Sequence, residues 1–174
     1  MHPLDLLPYC PKCGSKNFPV NSHCSRKCAD CGFEFFKNPS IGAAAFAFDD
    51  DGKLAVVRRT KNPAKGTLDL PGGFADIGET IEDAIKRELR EETNMEVEVE
   101  SYLFSIPNTY VYGGIDAYPL DFFFKCRIVD KSNIAVDVSE NSELLFLAPE
   151  EINPEDFGLA SVRKAITRFI TLRK

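Results

Sequence analysis

Glu88, Glu91 and Glu92 are the residues of this sequence whose type and spacing most plainly invite chemistry. They lie in "GGFADIGETIEDAIKRELREETN", Gly72 to Asn94, which reads as an amphipathic helix with a glycine-rich lead-in. At about 100° per residue, Ile81, Ala84, Ile85 and Leu89 share one side of that helix, the side expected to face a core. The three glutamates fall on the same side, within roughly 100° of one another, while Glu79, Lys86, Arg87 and Arg90 point the other way. Three carboxylates on a core-ward face cannot all stay ionised in a dry site. A hard divalent cation resolves the conflict, because Mg2+ takes carboxylate, water and phosphate oxygens. Glu88 and Glu92, one turn apart, are the first expected ligands, with Glu91 beside them. A backbone carbonyl at Gly72 is a further candidate, since glycine lets the main chain approach closely. A merely solvated helix face would leave the interrupted apolar stripe unexplained.

A second set of reactive side chains stands near the start. Four of the six cysteines form two knuckles, "CPKC" (Cys10, Cys13) and "CADC" (Cys28, Cys31), separated by 14 residues and each followed by glycine. One Cys-x-x-Cys would suit a redox dithiol; two matched knuckles at this spacing suit a tetrahedral Zn2+. His23 and Cys24 lie between them, but four thiolates already close a structural site. Cys126, within "LDFFFKCRIV", reads as a small apolar residue of a buried strand. The knuckle segment resembles a zinc ribbon, a module of many unrelated proteins.

The elements that must position these groups follow from the rest of the chain. Its 174 residues, 44% hydrophobic and 28% charged, make one medium domain or a domain with a small appendage. The net charge of −6 argues against a general nucleic-acid or anionic-membrane binder. Residues 1–40 carry five Lys/Arg against three Asp/Glu, a mild positive balance. The N-terminus shows no cationic region followed by a long apolar run, and no stretch approaches the roughly 18 apolar residues of a membrane span, so a cytoplasmic protein is expected. "FKNPS" (Phe36–Ser40) reads as a linker broken by Pro39. Beyond it the pattern is mixed α/β. "IGAAAFAF" and "KLAVVRR" are strands joined by the acidic turn Asp49–Gly52, and "LDL" (Leu68–Leu70) is a short strand ended by Pro71-Gly72-Gly73. The glutamate helix, "MEVEVESYLF", "LDFFFKCRIV" and "ELLFLA" follow, then a loop, "EEINPEDFG", and a closing amphipathic helix, "LASVRKAITRFITL".

From Gly73 the chain follows G-x(5)-E-x(7)-R-E-U-x-E-E-x-G-U, with U a bulky aliphatic residue. Gly73, Glu79, Arg87, Glu88, Leu89, Glu91 and Glu92 fill the first seven defined places. This resembles the Nudix box of the Nudix hydrolases, and "LDLPGG" fits the strand and turn that lead into it. The second glycine is replaced by Asn94, the next best residue for a left-handed helix cap, and Met95 stands where an aliphatic residue is usual. The resemblance implies an α/β/α sandwich with a mixed sheet over 39–174, preceded by a zinc ribbon over 1–38.

It also implies hydrolysis of a nucleoside diphosphate linked to another group, with Mg2+ or Mn2+ on Glu88, Glu91, Glu92 and Gly72, and structural Zn2+ on the four cysteines. Glu79 and Arg87 are expected to form an ion pair bracing loop to helix, away from the metal. The general base varies within the family; Glu140, in "VSENSELLFLA", is the expected one and Glu143 the runner-up. Arg58 and Arg59 could contact phosphate, and Tyr110 and Tyr112 could stack on a base. A ribbon ahead of a Nudix domain is similar to the NADH pyrophosphatase arrangement, yet "SIPNTYVYGGIDAYPLDFFF" keeps only a serine and a proline of the SQPWPFPxS-type signature. The expected partner is therefore a small nucleotide rather than nucleic acid or membrane, and a homodimer is allowed. Two other classes share these features: a nucleotide-sensing or nucleic-acid-binding regulator using the ribbon, and an isomerase, which would need a cysteine at the site.

Overall fold

The computed structural model describes residues 4–112 and 114–172, without the side chains of Tyr112 and Ile115. The chain divides into two compact units, Met1–Pro39 and Ser40–Lys174.

In the first unit, β1 (Val20–Ser22), β2 (Ser25–Lys27) and β3 (Glu34–Phe36) form a three-stranded antiparallel sheet in that order. Both knuckles close the same way: the Gly14 amide donates to Cys10 O at 2.8 Å and the Gly32 amide to Cys28 O at 3.0 Å. Both glycines sit at positive φ, 75° and 72°, where a Cβ would be strained. The interior is small: Cys10, Phe18 and Cys28 are buried, with Cys31, Phe33 and Phe35 packed on them.

The second unit is built on a seven-stranded mixed sheet. Its strands are β4 (Ile41–Phe48), β5 (Leu54–Arg59), β6 (Leu68–Asp69), β7 (Gly72–Phe74), β8 (Glu96–Pro107), β11 (Leu120–Asp130) and β12 (Asn141–Leu147). The order is β12-β5-β4-β11-β8, with β6 on β5 and β7 on β4; β4 and β11 run parallel and the other pairs antiparallel. A separate hairpin pairs β9 (Tyr110–Tyr112) with β10 (Ile115–Ala117). α1 (Ile81–Thr93) and α2 (Ala160–Leu172) cover the two faces.

The alternation along β4 explains the layers. Ala43, Ala45 and Ala47 pack in one core with Ala84, Ile85 and Leu89 of α1. Ala44, Phe46 and Phe48 join the other, with Val162, Ile166 and Phe169 of α2. Successive residues of a strand face opposite sides, so "IGAAAFAF" presents methyl groups to one helix and rings to the other. The Phe46 and Phe169 rings stack at 4.4 Å. Small residues under α1 let its core-facing carboxylates come down onto the sheet.

Three expectations change. The glycine lead-in is more than a turn: Gly72–Phe74 is strand β7, and α1 starts only at Ile81, capped by Thr80, whose side chain accepts the Asp83 amide. "MEVEVESYLF" continues to Pro107, because β8 pairs with β11 along its whole length. "EEINPEDFG" and the proline before it hold two 3-10 turns, Pro149–Glu151 and Pro154–Asp156. Asn94 takes the left-handed cap, φ 54° and ψ 24°, and its amide donates to Arg90 O at 2.9 Å. The next carbonyls of α1 are satisfied from the loop before β12: Ala135 N donates to Thr93 O and Asp137 N to Glu92 O. That tie brings Glu140 and Asn141 over the end of α1.

Candidate active site

Glu92 lies in the last turn of α1 and is 8% exposed. Its Oε2 accepts the Gly72 amide at 3.1 Å and its Oε1 the Asn141 Nδ2 at 3.3 Å. Burial pushes its carboxyl up to about 8; those two hydrogen bonds work against the rise, and the charges of Asp69 and Glu88 add to it. Gly72 has φ 148°, and a Cβ there would sit 2.1 Å from Ala43 O, so only glycine can place this amide. Glu88 is pressed against Gly73, where an added Cβ would lie 2.4 Å from the Glu88 carboxyl carbon. Burial raises the Glu88 carboxyl, Arg87 opposes the rise, and Glu91 and Glu140 add to it. The box glycine is thus a matter of close approach.

Glu91 is not on the core side: its side chain is 60% exposed. Arg87, in turn, is not directed away from the carboxylates. Its Nε and Nη2 hold Glu79 at 2.9 Å each, its Nη2 also reaches Phe74 O at 3.0 Å, and its Nη1 reaches Glu88 at 2.8 Å and Glu91 at 3.1 Å. The expected Glu79–Arg87 brace is present, and it holds the Glu79 carboxyl down at about 2. A long side chain with five donors can serve the loop and the helix together, which helical angle alone does not convey. Arg87 gathers Glu88 and Glu91 but not Glu92, and among the described residues only the four cysteines bring three or more ligand atoms within 4.8 Å of one another.

A cavity of about 340 Å3 opens beside Glu92. Arg59, Lys61, Asp69, Asp121 and Glu140 line it, with Leu70, Phe123, Leu159 and Val162 as apolar wall. Arg59 Nη1 pairs with Asp69 at 2.6 Å, and Glu140 pairs with Lys61 at 2.8 Å. Tyr110 lines the cavity; the Tyr112 side chain lies outside the described residues. Arg58 does not line it: that side chain pairs with Glu143 and donates to Gly66 O at 3.0 Å. Adjacent strand residues point to opposite faces, so only one of Arg58 and Arg59 can serve. Asp69, burial lifting it to about 6 against the pull of Arg59, and Asp121, Asn108, Lys61 and Asn141 were not singled out in sequence. Asp69 and Asp121 had a signal, an acid inside an apolar strand ("LDL", "LDFFF"). Cys126 is buried in the α1-side core, its thiol pushed up to about 12 by burial, and no cysteine among the described residues lines the cavity, so the isomerase reading lacks its nucleophile.

In the first unit, Cys10 and Cys31 sulfurs lie 3.7 Å apart, as do those of Cys13 and Cys28, and all four thiols are free. Tetrahedral bonds of about 2.3 Å put neighbouring sulfurs about 3.8 Å apart, so the set fits a zinc-sized ion and not a disulfide. The Cys31 amide, and after it that of Asp30, holds the Cys28 thiol down to about 7 against burial. Cys24 bonds Ser22 instead, at 3.8 Å.

A family profile described as NUDIX domain matches residues 38–169, and the chain belongs to the Nudix family of hydrolases. It is 37% identical over 71 residues to an ADP-ribose pyrophosphatase of Methanocaldococcus jannaschii, 41% of each chain. It is 28% identical over 155 residues to the NAD-capped RNA hydrolase NudC of Vibrio parahaemolyticus, covering 88% of this chain and 55% of that one. The chain thus spans about half the length of these curated relatives. In fold it is similar to a NUDIX hydrolase from Nitrosomonas europaea, with a TM-score of 0.74, 21% identity, and 95% and 91% of the two chains covered.

The raised carboxyls set a pH dependence. A group whose folded value lies above its unfolded one stabilises fully below the unfolded value, and that stability is lost as pH rises through the folded value. For Glu92 the window runs from 4.5 to about 8. In chelator, unfolding free energy should fall by roughly 1–3 kcal/mol between about pH 5 and 8.5, as a several-unit shift in one buried carboxyl allows. Urea titration across that range measures it; a slope unchanged in Glu92→Gln would assign the effect elsewhere.

Proposed function

We propose that residues 40–174 hydrolyse the diphosphate of a nucleoside diphosphate linked to a second group, such as ADP-ribose, a nucleotide sugar or NADH. The observation that carries this reading is Glu92, a carboxylate buried in the box helix, raised by burial and by neighbouring acids, at the wall of a cavity that also holds Arg59 and Lys61. Glu88, Glu91 and Glu92, with the Gly72 carbonyl, would hold Mg2+ or Mn2+. Such an ion neutralises diphosphate and lowers the pKa of bound water. Arg87 orients Glu88 and Glu91. Arg59 and Lys61 offer cationic arms to phosphate, and Glu140 would accept the proton of the attacking water once Lys61 turns to the substrate. The cysteine unit would hold one structural Zn2+. A nucleotide that caps an RNA belongs to the same chemical class, so the acidic balance of the chain does not exclude an RNA-borne substrate. No described helix is long and apolar enough to cross a membrane.

Kinetics on ADP-ribose, nucleotide sugars, dinucleoside polyphosphates and NADH with Mg2+ or Mn2+ test the reading. Because the NADH signature is missing, NADH should not exceed the others in kcat/KM by more than about a hundredfold, some 2.7 kcal/mol of discrimination. A larger advantage would restore NADH specificity; turnover of none, with tight nucleotide binding, would favour the sensor.

A further inference from the structure

We propose, resting on the hydrolase reading, that Asp121 is a specificity-determining residue that selects substrates whose nucleobase carries an amino group. Asp121 is the second residue of β11, beside Gly42 of β4 in parallel register, and it lines the cavity. One of its oxygens is fully engaged. Oδ2 accepts Ser161 Oγ at 2.5 Å, from the first turn of α2, and Asn108 Nδ2 at 3.1 Å. Asn108 cannot turn over freely, because its own Oδ1 accepts the Thr109 amide at 2.9 Å, which keeps its NH2 on Asp121.

The other oxygen has no such use. Among the described residues nothing donates to Oδ1, which lies over the bare backbone of Gly42, where an added Cβ would be 2.4 Å away. Bracing α2 to β11 accounts for Oδ2 and leaves Oδ1 as an oriented acceptor. A carboxylate oxygen recognises only a donor. The cavity that Asp121 lines has an apolar wall of Phe123, Leu159 and Val162. A sugar ring would strand its hydroxyls against them, whereas a planar base buries its faces and offers one N–H at its edge. An exocyclic amino group supplies that N–H.

The substitution Asp121→Asn inverts the readout. With Ser161 and Asn108 both donating, the amide oxygen takes the Oδ2 place and the NH2 takes that of Oδ1, so an acceptor becomes a donor in the same position. Calorimetric titration in Mg2+ with AMP, with its analogue carrying hydrogen in place of the 6-amino group, and with IMP reads this directly. The native chain should bind AMP about tenfold or more tighter than the deamino analogue, the usual worth of a hydrogen bond to a charged group. Asp121→Asn should lose that preference and shift toward IMP, whose 6-oxo group accepts.

Equal binding of AMP and the deamino analogue by the native chain overturns the proposal without any variant, as does failure of AMP to bind. A variant weakened equally for all three ligands would make Asp121 a brace only. Turnover of ADP-ribose in the same samples separates the two readings. Selective AMP binding without hydrolysis removes the hydrolase and leaves the recognition site; hydrolysis with no base preference does the reverse.

Discussion

Glu92→Gln should lower Mg2+-dependent turnover by at least about a hundredfold, the loss expected when preorganised charge at a transition state is removed. The metal-free protein should not lose stability. Glutamine keeps the shape, its carbonyl can accept the Gly72 amide, and Asn141 can present its own carbonyl to the new NH2 by turning its side-chain amide over. What disappears is a carboxyl whose charge burial disfavours first and Asp69 and Glu88 after it, so that it must take up a proton on folding at neutral pH. Unfolding free energy in EDTA at neutral pH should stay level or rise by roughly 1–2 kcal/mol. Glu82→Gln, exposed in the first turn of the same helix, is the control and should change neither quantity appreciably. If Glu92→Gln kept near-native turnover, or cost as much stability as breaking a buried ion pair, about 3–5 kcal/mol, these carboxylates would be structural.

Removing metal from the cysteine unit should unfold that unit. Its three strands have three residues each and its buried side chains among the described residues are only Leu4, Cys10, Phe18, Ser25 and Cys28, far too little to stand alone. Zinc bound to such a module typically supplies about 10–16 kcal/mol of apparent folding free energy. Metal analysis of chelator-free protein should find one zinc per chain. A strong chelator should then abolish amide protection through residues 4–39 while β4, β11 and α1 keep theirs. Cys28→Ser should have the same effect without chelator. Four titratable thiols in a folded, zinc-free unit would contradict the assignment.

Much of this was legible because it is local. The spacing from Ile81 to Glu92 puts Ala84, Ile85, Leu89 and Glu92 on one buried helix face, and "IGAAAFAF" already contains the two-sided packing of β4. Local spacing also misled. It set Glu91 beside Glu92, whereas the helix turns it to solvent, and it sent Arg87 away, although a long guanidinium can fold back over Glu88 and Glu91. The strand Gly72–Phe74 looks only like a turn and a lead-in to the helix in the sequence, because its partner, Gly42–Ala44, is about thirty residues distant. The cavity is less legible still. Asp69, Asp121, Lys61 and Asn141 come from four segments and meet only through sheet register, and each alone is an ordinary polar residue. Arg58 and Arg59 were equivalent on paper; the pleat chose Arg59.

Phosphorus NMR of ADP-ribose incubated with the full chain and Mg2+ tests the central claim most directly. Hydrolysis at the diphosphate should replace both phosphoanhydride resonances by two phosphomonoester resonances, those of AMP and ribose 5-phosphate, with no inorganic phosphate, and EDTA should stop the change. An unaltered spectrum at stoichiometric protein, with the nucleotide bound, would contradict it and make the carboxylate helix part of a sensor.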